Sequence, residues 1–205
     1  MRRLFFFIWL VLLGIAPVWS SSGGSISEAR QAVEIYANVE FKGGDPSDLR
    51  KIIKFSTARE VELKRKFGIF LYTNFSEDEP QYVVNSYMVK DVIVSGNKAI
   101  ATVVYQRIAR TKDNCGSPFI AEPPHDETVT LNLIFKKNQW WVLDPPPQRV
   151  SKQVLIDYYE YQVKEYSSIW EQKLSDPTYN EKQKANVRAN RDQAVGALQT
   201  LKSLP

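Results

Sequence analysis

The chain has 205 residues, with 27 Lys and Arg against 23 Asp and Glu, a formal charge of +4, one Cys and one His. A single cysteine excludes an intrachain disulfide, and one Cys with one His argues against a transition-metal centre. Acids and bases are interspersed, without the one-sided basic cluster of a nucleic-acid binder.

Met1, Arg2 and Arg3 open the chain, and Leu4 to Val18 is apolar and free of charge. A bilayer core of about 30 Å asks for roughly 20 apolar residues. This run stops short of that, at Pro17 and the Ser/Gly stretch over 20–24, and reads as the core of a cleavable secretory signal peptide with the small residues Val18 and Ser20 before the cut. The expected mature chain begins near Ser21 and is periplasmic or secreted, touching a membrane only if the segment is kept as an anchor. Without Arg2 and Arg3 the balance is 25 basic to 23 acidic residues, about +2. No Cys follows the apolar run to carry a lipid, and Cys115 reads as an inert thiol. The organisation expected is a signal peptide over 1–20, a linker over 21–24, one α+β domain over 25–165 and a C-terminal helical extension over 166–205, ample for one core.

Ser25 and Glu28 form a capping box ahead of Ile26, Ala29, Val33, Tyr36 and Ala37 at helical spacing, and Gly43-Gly44 stop that helix. A second helical stretch is expected from Asp45-Pro46 through Leu49, Ile52 and Ile53. A third is expected from the Thr57/Glu60 capping box to Leu71. From Gln81 the period becomes two. Val83–Val94 and Ala99–Arg110 flank Ser95-Gly96-Asn97-Lys98, a two-residue hairpin turn. That turn sets Val94 opposite Ala99, Val92 opposite Ala101, Lys90 opposite Val103, Met88 opposite Tyr105 and Ser86 opposite Arg107.

Thr111 to Glu127 holds three Pro, the Cys and the His and reads as a long irregular loop. A second hairpin is expected from Thr128–Lys136 through Lys137-Asn138-Gln139 to Trp140–Leu143, ended by Asp144 and Pro145 to Pro147. Val150 to Leu174 and Asn180 to Leu204 read as two helices separated by Asp176-Pro177. The first carries a broad stripe of Val154, Leu155, Tyr158, Tyr161, Ile169 and Trp170.

The strings VKDVIVSGNKAIATVVY (89–105) and LNLIFKKNQWWVLDP (131–145), after an N-terminal helical section, resemble the nuclear-transport-factor-2-like superfamily over about Ser25 to Pro147. The resemblance implies a cone: a strongly curved antiparallel sheet wrapped around N-terminal helices, here with extra C-terminal helices. It implies an apolar pocket inside the cone. It does not decide activity, since that fold serves isomerases, dehydratases and hydrolases as well as silent binding and assembly domains.

Tyr36, Met88, Tyr105, Arg107 and Trp140 are the candidate pocket residues, with Arg107 placed to select an anionic head group. The competing expectation is that such aromatics are core and that Arg107 snorkels at the sheet edge. Cys115, His125 and Asp126 lack the rigid, separate supports of a catalytic triad, and Ser95 to Lys98 match an S-x-x-K string only as a turn. Asn74-Phe75-Ser76 is a glycosylation acceptor in a eukaryotic setting alone. No catalytic residue, metal site or cofactor is expected.

Three functions remain open. One is an exported non-catalytic module binding a small apolar or amphiphilic ligand, or a peptide, in the cone. Another is an assembly component, pairing with itself or with a cell-envelope protein through its sheet face or C-terminal helices. The third is a pocket enzyme of the isomerase or dehydratase type, in which Asp91 or Arg107 would lie beside a tyrosine hydroxyl inside a closed pocket.

Overall fold

The computed structural model describes residues 24–43, 46–49, 51–58, 61, 81–111 and 119–205. Helix α1 spans Ile26–Phe41, α2 Pro46–Leu49, α3 Lys152–Ser175 and α4 Glu181–Ser203. The strands are β1 Ile53–Lys54, β2 Tyr82–Ser95, β3 Lys98–Thr111, β4 Phe119–Lys136, β5 Gln139–Leu143 and β6 Arg149–Ser151. They form one curled sheet in the order β1-β5-β4-β3-β2-β6. The architecture is α+β, with α1 inside the curl.

The capping box of α1 is present: Ser25 Oγ accepts from the Glu28 N–H, and Glu28 Oε2 accepts from the Ser25 N–H at 2.7 Å. The β2–β3 turn has Gly96 at φ +61, which an L side chain adopts at a cost. The β4–β5 turn places both Lys137 and Asn138 in the left-handed region, the requirement of a type I′ hairpin.

The expected register holds near the tip, where Val94 pairs with Ala99 and Val92 with Ala101. It fails below, because the ladder shifts between Val89 and Asp91, leaving Lys90 as the extra residue of a bulge. Tyr87, not Met88, therefore pairs with Tyr105, and Met88 turns outward, 57 % exposed. One inserted residue exchanges the faces until the next shift; two more follow, at Asn85 and Ile108, so Ser86 pairs with Gln106, and Arg107 with Val84 rather than Ser86.

Four further expectations need correction. Ile53 belongs to β1 beside Val142 of β5, not to a second helix. Residues 119–127 are strand, because β3 runs long enough to pair with them to its end. Val150 lies in β6, parallel to β2, so α3 starts at Lys152 after its N-cap Ser151. Both outer strands, β1 and β6, pair in parallel, so the sheet is mixed at its edges. Signal-peptide residues, most of the third expected helix, Asn74 and Cys115 lie outside the described residues.

Two cores follow. Inside the curl, Ala29, Val33 and Tyr36 of α1 meet Ala101, Val103, Tyr105, Leu131, Trp140 and Val142. On the other face, Val83, Ile108, Phe119 and Val150 meet Leu155 of α3 and Ala197, Leu201 and Leu204 at the end of the chain. Helix α3 runs unbroken past residue 165, so the base of the α3–α4 hairpin is built into the fold. Its far part, roughly 160–190, is half-buried or exposed throughout.

Candidate functional site

The chemistry inside the curl gathers where α1 ends against β3, β4 and β6. The α1 stripe that buries Ala29, Val33 and Tyr36 carries an acid at its next position, Glu40, which is 2 % exposed. Tyr36 donates its hydroxyl to Glu40 Oε1 at 3.1 Å, and Tyr105 donates to Oε2 at 3.0 Å. Burial pushes the Glu40 carboxyl up to about 7, although the Arg149 charge and both hydroxyls pull the other way. The Tyr105 hydroxyl is raised by its burial and by Glu40.

Arg149, on β6 and itself buried, reaches Glu127 of β4 through Nε at 3.1 Å and a terminal nitrogen at 3.0 Å. Burial works against its charge, but Glu127 and Glu40 outweigh it and hold its proton more firmly than usual. Arg107 makes a bidentate pair with Glu122 at 2.6 and 2.7 Å and lies 3.7 Å from Glu127. Arg110 reaches the same Glu122 at 3.1 Å. Burial alone would raise Glu122, yet Arg107 and Arg110 hold it below the usual carboxylate range. The Tyr82 ring lies 4.2 Å from the Arg107 guanidinium and 5.1 Å from that of Arg149.

Local sequence explains the Glu122 position. Pro123 and Pro124 lack the N–H a ladder needs, and the β3–β4 register shifts there between the pairs Arg107–His125 and Ala109–Ala121. The resulting irregularity aims Glu122 at the two arginines. Ion pairs thus run from Arg149 through Glu127, Arg107 and Glu122 to Arg110, and Glu40 is linked to them by the nearby Arg149 charge.

The five sequence candidates separate. Tyr36 and Tyr105 join on Glu40, with Trp140 further along the same core, and all three are at most 2 % exposed. Met88 is outside. Arg107 is inside the sheet's reach, but its fork is taken by Glu122 rather than open to an anionic head group. Asp91, His125 and Asp126 are exposed. Among the described residues no cluster of His, Cys, Asp and Glu is placed to hold a metal.

Glu40, Glu122, Glu127 and Arg149 escaped the sequence reading. Glu40 had a signal: an acid four residues after Tyr36 on an apolar helical stripe must be either exposed or paired. Arg149 had almost none, since the strand that buries it has three residues.

No family model and no curated protein matches the chain. Among solved structures it is similar to TsrD from Streptomyces laurentii, at 15% identity over 58% of this chain and 89% of that one, with a TM-score of 0.32. The intermembrane space region of the chloroplast protein ARC6 is 13% identical over 59% of this chain and 94% of that one, TM-score 0.32. A SnoaL-like polyketide cyclase from Jannaschia sp. CCS1 is 14% identical over 62% of this chain and 86% of that one, TM-score 0.29. At these values the similarities bear on neither ligand nor activity.

Proposed function

We propose that this chain is an exported, non-catalytic assembly module built on a nuclear-transport-factor-2-like cone, and that it works by contact through the outer face of its α3–α4 hairpin. The observation that carries this reading is the contrast between a filled interior and an unfilled exterior. Inside, the tyrosines and Trp140 pack into the core and the arginines are answered by carboxylates of the same chain. Outside, Tyr161 (58 %) and Ile169 (38 % exposed) lie about two turns apart on α3, and Tyr158, 47 % exposed, packs edge-on against Tyr159 at 5.1 Å.

Charge supports pairing with a second copy. The exposed length of α3 carries Asp157, Glu160, Glu165 and Glu171 against Lys164 and Lys173, and α4 carries Lys182, Lys184, Arg188, Arg191 and Lys202 against Glu181 and Asp192, which pair with Arg188 and Arg191. Across the hairpin one pair forms at the base, Lys202 with Glu160 at 2.7 Å. Two hairpins related by a twofold axis set the acidic helix of each beside the basic helix of the other. Light scattering of the isolated protein tests this. A dimer that Tyr161→Asp with Ile169→Asp reduces to a monomer of unchanged helicity is the expected result; a wild-type monomer at all concentrations overturns it.

One observation favours a second reading, a small ligand held in the cone. The Trp140 indole Nε1–H is buried and has no acceptor among the described residues, which is costly unless something else accepts from it. A small-molecule adduct that survives mild isolation and disappears with Trp140→Phe would move the function inside.

A further inference from the structure

We propose that the strand-tip end of the cone docks on an anionic phospholipid surface through the outward residues of the β2–β3 and β4–β5 hairpins. The inference rests on the exported, surface-acting reading above and assigns a partner to a different surface.

Four side chains make an apolar row on the outer face of the tip. Ile93 and Ile100 oppose each other across β2 and β3 and are 69 % and 51 % exposed. On β4 the residue opposite Ile100 is the exposed Asn132; Ile134, diagonal to Ile100 and opposite Lys98, carries the apolar surface on to its partner Trp141 of β5, and both are half-buried. Two neighbouring isoleucines directed at water on adjacent strands serve no core, and a soluble hairpin usually carries Thr, Lys or Glu there.

The row is edged with lysine. Lys98, next to Ile134 in the ladder, and Lys136 and Lys137 of the β4–β5 turn are exposed. Lys54 sits 4.2 Å over the Trp141 ring. Trp141 donates its indole N–H to the Lys136 carbonyl at 3.1 Å, so its polar edge is held by the turn. Among the described residues near this end, Glu28 is engaged by the Ser25 N–H, Asp48 is paired with Lys51, and Asp91 is exposed. Apolar residues and an interfacial tryptophan, ringed by lysines that can bury their stems and raise their ammonium groups, match the boundary between acyl chains and anionic head groups.

The N-terminus enters at this same end. Gly24 lies so close on the Trp140 indole and the Phe135 ring that any side chain would collide with both. Ile26, 58 % exposed, follows it on the first turn of α1. The apolar run of the sequence ends at Val18, and the chain between Val18 and Gly24 spans at most roughly 20 Å. Whenever that run is in a bilayer, in transit or retained, the tip is tethered at the bilayer surface. The α3–α4 hairpin is rooted at the far end, on Val83 and Ile108. Ten residues of β2, roughly 30 Å, separate Val83 from Ile93, so a docked tip leaves the hairpin clear.

The test uses the chain from Ser21, without the apolar run, with Cys115→Ser and a nitroxide on Asn97→Cys at the turn apex, or on Ser168→Cys in the hairpin. With phosphatidylglycerol vesicles the Asn97 label is expected to become accessible to lipid-dissolved oxygen and shielded from an aqueous nickel complex, while the Ser168 label stays aqueous. Phosphatidylcholine vesicles should leave both labels aqueous. K98E/K136E/K137E should cost at least tenfold in phosphatidylglycerol affinity while retaining the thermal midpoint. An Asn97 label that stays aqueous on phosphatidylglycerol, or enters both lipids equally, overturns the proposal. So does a label immobilised without vesicles as protein concentration rises, which would mean a second copy covers the tip. Either of those failures with the hairpin dimer intact condemns this inference and leaves the assembly reading standing.

Discussion

At the lower end of β2, Tyr82 lies against two guanidinium groups that carboxylates of the same chain already hold; eleven residues further along the same strand, Ile93 faces water. Both segments are strand, and both pair with β3. They differ in what surrounds them. The lower end is walled by α1, β6 and the base of the α3–α4 hairpin, and its arginines Arg149 and Arg107 are paired there with Glu127 and Glu122. The tip and the exposed length of α3 have no such wall, and they keep apolar side chains exposed. Buried charge is costly when unpaired and inert when paired, whereas exposed apolar surface gains by being covered. The second kind of surface is therefore where an interaction is to be sought.

Breaking the interior should have the largest effect. Arg149→Met leaves Glu127 and Glu40 without their buried cation, and about 3–5 kcal/mol of stability should be lost in urea denaturation. Close behind is Leu201→Ala, which opens a cavity where α4 meets Val83 and Ile108 and should cost roughly 2–5 kcal/mol. An effect that large would show that the hairpin base belongs to the domain rather than to an appendage.

Glu40 sharpens the comparison through pH. Its folded-state carboxyl is raised from 4.5 to about 7, so the folded protein binds this proton more tightly than the unfolded chain does. The associated stabilisation is fully present below the unfolded value and is lost as pH rises through 7. Unfolding free energy should fall between pH 5 and 8 by an amount on the order of 3 kcal/mol at most, and Glu40→Gln should flatten that slope. The smallest effect on stability belongs to the outside: Tyr161→Ser and Ile93→Ser should each stay within about 0.5 kcal/mol of wild type in isolated protein. Their consequences should appear in association instead.

Much of this plan was legible in the residues. The Ser25 capping box, the Gly96 turn and the Asp176-Pro177 break mark the boundaries that local chemistry enforces. The cone resemblance anticipates the curled sheet. What stayed hidden depends on non-local pairing. Lys90 looks like any strand lysine until β3 leaves it unpaired, and that single bulge carried Met88 out and Tyr87 in. Residues 119–127 read as loop because of Pro123 and Pro124, yet β3 imposes strand on both sides of the irregularity. Glu40 and Arg149 meet across 109 positions of sequence, and no period or motif connects them. The candidate site was thus half visible: its tyrosines and Arg107 were in view, while the acids that occupy them were not.

The central claim is that the protein works from its surface and not from within the cone. Native mass spectrometry of the mildly isolated protein tests it most directly, with Tyr105→Phe and the Tyr161→Asp/Ile169→Asp pair alongside. The account predicts a clean polypeptide mass as a dimer, kept by Tyr105→Phe and lost in the hairpin variant. A monomer carrying a small-molecule adduct, released by denaturation and weakened by Tyr105→Phe, would contradict it.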